Sequence, residues 1–115
     1  MKRIVGSSAV ALLFSFTLAA ETFNGIVLDV MCQSGFETYT KAKGHTKACS
    51  LMPPCVASGF GVVTEDDKFL KFDAEGNKKA EAAIKASDKT TDVRVVVDGK
   101  LDGDVIAVTD VKIAD

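Results

Sequence analysis

The chain has 115 residues, 47% of them hydrophobic and 26% charged, with 9 Gly and 2 Pro. That length holds one small domain, and that composition excludes collagen-like, coiled-coil and wholly disordered chains. The 14 basic and 16 acidic residues give a formal net charge of −2, a poor match for nucleic acid or an acidic membrane surface.

Met1-Lys2-Arg3 leads into an apolar stretch, Ile4 to Leu18, interrupted by Ser7, Ser8, Ser15 and Thr17 and closing on Ala19-Ala20. This layout predicts a secretory signal peptide over residues 1–20, cleaved after Ala20. A spanning helix needs about 20 uninterrupted apolar residues, so no stable membrane anchor is expected after cleavage. No Cys stands at the cleavage point to carry a lipid. Losing Lys2 and Arg3 leaves 12 basic against 16 acidic residues. The expected mature chain, residues 21–115, is one acidic domain in the periplasm or outside the cell.

Phe23 to Cys32 alternates, with Ile26, Leu28, Val30 and Cys32 on one face, and predicts the first strand. Gln33 to Thr46 loses all periodicity and reads as a long surface loop, of the kind that is often functional. A short helix is expected from His45 to Met52, ended by Pro53-Pro54. Phe60–Thr64 and Lys68–Phe72 form a hairpin across Glu65-Asp66-Asp67. Lys78 to Ala86 is a short helix with Ala80, Ala83 and Ile84 on its apolar stripe and Asn77 as N-cap. Asp92–Leu101 and Asp104–Ile113 pair across Asp102-Gly103, with Gly99 marking a bulge.

This order predicts an all-β domain with one short helix. The expected architecture is a five-stranded OB-fold-like Greek-key barrel with an insertion at about residues 33–57, between strands 1 and 2. An open antiparallel sheet with the helix on one face fits the same order.

All three cysteines and the sole histidine fall in one window, spaced Cys32-x12-His45-x3-Cys49-x5-Cys55. In an oxidising compartment the leading expectation is a disulfide among Cys32, Cys49 and Cys55, leaving one thiol spare and stapling a polar loop. The alternative is a metal site. Cys32, His45, Cys49 and Cys55 make a Cys3His set suited to zinc, or to copper with the thioethers of Met31 and Met52 nearby. Paired Cys-x2-Cys knuckles are missing. A weaker alternative is a thiol-active periplasmic enzyme using a Cys/His pair, with Asp29 as the only orienting group in view. A cluster that is simply packed and reduced is the fourth reading. Lys41, Lys43 and Lys47 face only Glu37 in the insertion, which suits an anionic ligand or, more simply, a solvated loop. No catalytic residue is assigned. The leading expectation is a binding or structural module, rather than an enzyme, whose ligand or protein partner is unknown.

The stretch Gly25-Ile26-Val27-Leu28-Asp29-Val30-Met31-Cys32, followed by His45-Thr46-Lys47-Ala48-Cys49, Cys55 and Ser58-Gly59-Phe60-Gly61, resembles small exported bacterial proteins of unknown function. These share a strand ending in Asp-x-x-Cys, a His-Cys-Cys insertion and an OB-like end similar to Gly99-Lys100-Leu101-Asp102-Gly103-Asp104. The resemblance implies that Cys32, His45, Cys49 and Cys55 belong together. It implies no particular ligand or reaction.

Overall fold

A computed structural model describes residues 20–114. The expected signal peptide at 1–20 lies, but for Ala20, outside the described residues.

The first strand, β1 (Glu21–Asp29), is paired on both edges. It runs antiparallel to β2 (Phe60–Thr64) through pairs such as Ile26 with Val63. On its other side it runs antiparallel to β4 (Arg94–Asp102) through pairs such as Phe23 with Val97. Next to β2 lies β3 (Phe69–Phe72), also antiparallel. The last strand, β5 (Val105–Ile113), pairs antiparallel with β4. The register slips between Asp98 and Gly99, where the sequence places a bulge. A Cβ on Gly99 would sit 2.5 Å from the Ala107 carbonyl oxygen, so only glycine permits this approach. Parallel pairing of β3 with β5 through Lys71 with Val105 and Phe72 with Ile106 closes the order β1-β2-β3-β5-β4 on itself.

The main core is apolar throughout. Val27, Phe60, Val62, Val95, Val97 and Ile106 bring the strands together, and α4 (Ala74–Ala86) adds Ala80 and Ile84. Asp73 starts α4 by accepting from the Gly76 amide at 2.9 Å. Asn77 is not the cap expected of it. It lies inside α4, and its Oδ1 accepts from the Phe60 amide at 2.8 Å, tying the helix to the start of β2.

An all-β domain with one short helix is therefore the wrong description. The described residues contain five helical segments, four of them between β1 and β2: a 3-10 helix (Val30–Gly35), α1 (Tyr39–Ala42), α2 (Lys47–Ser50) and α3 (Pro53–Ser58). The supposed loop is helical because its polar residues are caps. Thr38 accepts from the Lys41 amide and Thr46 from the Cys49 amide, each at 3.1 Å. Pro53-Pro54 begins α3 rather than only ending its predecessor, since proline at a first turn forfeits no hydrogen bond. The OB-fold-like Greek-key label is withdrawn too. The molecule is better described by its helical layer between β1 and β2 and by the two-pair parallel seam between β3 and β5.

That layer buries the second face of β1. Ile26, Leu28, Ala42 and Val63 form a separate apolar cluster, with Phe36, Tyr39 and Phe69 packed against it. Alternation predicted one buried face on this strand; the helical layer buries both.

Candidate metal centre

β1 ends where a carboxylate takes over. The Asp29 side chain, fully buried, accepts from the Cys32 amide at 3.0 Å and so starts the 3-10 helix three residues earlier than the alternation implies. Cys32 thus sits in that helix, not at the end of the strand. Thr46 caps α2 through the amide of Cys49, which places this second thiol beside the first. Cys55 is buried in α3.

The three Sγ atoms lie within 4.8 Å of one another. Cys32 Sγ and Cys49 Sγ are 3.9 Å apart. A disulfide needs about 2.05 Å, and all three cysteines are free. The expected staple among Cys32, Cys49 and Cys55 is therefore absent. What holds the insertion down is the cluster of Ala42 and Phe36 over β1, together with the threonine caps.

His45 is buried at 4% exposure, with its ring edge-on to Phe36 at a centroid distance of 4.9 Å. It stands with Asp29 and Cys32 in a second set of three ligand atoms within 4.8 Å. The four expected ligands, Cys32, His45, Cys49 and Cys55, thus fall into two close sets that share Cys32, with Asp29 joining the second. Ser50, also buried, links the imidazole and the carboxylate: its Oγ lies 3.2 Å from His45 Nδ1 and donates to Asp29 Oδ1 at 3.4 Å. Asp29 is the chief participant that the cysteine and histidine spacing does not reveal. A carboxylate interrupting the apolar run from Ile26 to Met31 is the signal for it.

Burial first, then the Asp29 carboxylate and the neighbouring Cys49, pushes the Cys32 thiol far above its usual range. Burial and Asp29 also raise Cys55. With no metal bound, both are thiols at neutral pH, ill suited to act as thiolate nucleophiles. Burial lowers the His45 pKa below 6.5, and the Asp29 charge opposes that shift. The unfolded chain therefore takes up a proton near pH 6.5 that the folded chain resists. Stability from this site is complete above that pH and is lost as pH falls through the folded value. The metal-free protein is expected to melt at a lower temperature at pH 5 than at pH 7.5, with His45→Gln flattening the trend. An unchanged midpoint over that range would refute it.

Two of the three lysines of the insertion are held by the protein's own groups. The Lys47 ammonium donates to the carbonyls of Lys85 and Ser87 at the end of α4, and Lys43 lies over the Tyr39 ring at 5.4 Å. Met31 and Met52 are the exposed large apolar side chains of the described residues, adjacent in sequence to Cys32 and between Cys49 and Cys55.

No family model matches the chain, nor does any curated protein or solved structure. The resemblance to small exported bacterial proteins is accordingly withdrawn, and function rests on the site itself. Among the described residues, no helix is long and apolar enough to cross a membrane.

Proposed function

We propose that this protein binds a transition-metal ion through the thiolates of Cys32, Cys49 and Cys55. The observation that carries this is the convergence of three sulfurs within 4.8 Å, none of them in a disulfide. Zinc–thiolate bonds of about 2.3 Å in a tetrahedron set sulfurs roughly 3.8 Å apart, close to the 3.9 Å between Cys32 and Cys49. The polar neighbours favour zinc, because a buried carboxylate and imidazole beside the thiols suit a borderline ion. Copper(I) is the second reading, favoured by the exposed thioethers of Met31 and Met52. The exported location expected from the leader belongs with this proposal: an extracytoplasmic module that holds or carries metal.

Zinc titration against a competing chelator tests it. The reduced wild-type protein is expected to bind tightly, and Cys49→Ser to bind at least about 100-fold more weakly. Loss of a supporting residue alone costs about 10–100-fold, and loss of a ligand costs more. Wild-type protein that leaves both zinc and copper(I) with the chelator would refute the proposal.

Binding must also expel the thiol protons. Because Cys32 and Cys55 are raised, affinity is expected to climb steeply with pH. Each proton released steepens the dependence by about tenfold per pH unit. Affinities measured at pH 6, 7 and 8 check this, and a flat profile would mean the thiols are not the ligands.

A further inference from the structure

We infer that the centre holds two divalent ions, bridged by the Cys32 thiolate. One ion takes Cys32, Cys49 and Cys55; the other takes Asp29, Cys32 and His45. This rests on the reading of the three thiols as metal ligands and extends it to a second, neighbouring site.

The second set is marked by an unmet polar atom. His45 Nε2 is buried and lacks a hydrogen-bond partner, although Asp29 Oδ1 lies only 3.1 Å away. The two atoms are close without being aligned for an N–H to point at the oxygen. The remaining contacts explain why. Ser50 has one hydroxyl hydrogen, which goes to Asp29 Oδ1, so its oxygen accepts from Nδ1–H of His45. This assignment leaves Nε2 carrying a buried, unmet lone pair beside a carboxylate oxygen and directed off the line between them, as it would be toward an ion that both atoms ligate. Ligands about 2.0–2.1 Å from zinc in a tetrahedron stand roughly 3.3 Å apart, near the separation observed. A metal-bound histidine typically donates its other ring N–H to a fixed acceptor, the role Ser50 fills here.

Charge agrees with the count. Three thiolates and one carboxylate carry four negative charges, and two divalent ions cancel them where Asp29, His45 and Cys55 are buried and a residual charge is costly. The mixed nitrogen, oxygen and sulfur donors of the second set point to zinc rather than copper(I). The thiol protons leave to the buffer, and nothing is oxidised or reduced.

Native mass spectrometry of the reduced full chain, titrated with zinc, counts the ions. Two per wild-type chain and one per His45→Gln chain, with the tighter site unchanged within about threefold, is the expected result. One ion in both proteins overturns the bridged pair while leaving the trithiolate site standing. No ion in the wild type overturns both readings. Two ions in His45→Gln would place the second ion elsewhere and likewise overturn the assignment. Cadmium-113 NMR of the wild type needs no variant to fold. Two resonances of different donor character are expected from protein loaded with two equivalents, and a single resonance counts against the bridge.

Discussion

Saturating zinc is expected to raise the midpoint of thermal unfolding by roughly 16–32 °C, and a chelator to reverse the gain. A ligand that binds only the folded state at 1,000 times its dissociation constant adds about 4 kcal/mol. A domain of this size shifts by about 4–8 °C per kcal/mol. The effect is large because the ligands are carried by short helices. The 3-10 helix, α2 and α3 are four to six residues long, below the length at which isolated helices persist in water. Cys32, Cys49 and Cys55 each come from a different one of them, so a bound ion ties three segments together at once. Calorimetry of wild type and Cys49→Ser, with and without zinc, checks this. The variant should keep at most about a third of the shift, and a wild-type midpoint that ignores both zinc and copper would exclude a metal centre.

Asp29→Ala is expected to cost about 3 kcal/mol without any metal present, lowering the midpoint by roughly 12–24 °C. The carboxylate is fully buried and serves two donors, accepting from the Cys32 amide and from Ser50 Oγ. Alanine removes the charge and leaves buried donors unmatched, which is the expensive way to break a polar network. It also removes the cap that starts the 3-10 helix, so Cys32 loses its fixed position. Asn keeps the shape and one accepting oxygen, and Asp29→Asn should cost only about 1 kcal/mol. Chemical denaturation of the two variants separates a structural carboxylate from an incidental one. Equal stability of Asp29→Ala and wild type would show that the network contributes nothing.

Much of the strand framework is legible in the residues. Phe60–Thr64 is delimited by its own apolar run, and Gly99 and Asp102-Gly103 mark the bulge and the turn of the final hairpin. The helical layer is not legible, because hydrophobic periodicity carries no weight over four-residue segments. There the information lies in capping by Thr38 and Thr46 and in prolines that open a helix, signals that composition reads as loop. The grouping of Cys32, Cys49 and Cys55 follows from their confinement to one window. Whether they bond to each other or converge at a distance does not, since spacing limits which thiols can meet and says nothing of their geometry. His45 is drawn to Asp29 and Ser50 rather than seated among the thiols alone, and only the tertiary contacts of His45 and Ser50 with Asp29 at the end of β1 determine that.

X-ray absorption at the zinc edge, on reduced protein loaded with one equivalent, tests the convergence of the thiols most directly. The thiolate set predicts three sulfur neighbours per zinc at about 2.3 Å. A shell of nitrogen and oxygen alone would contradict it.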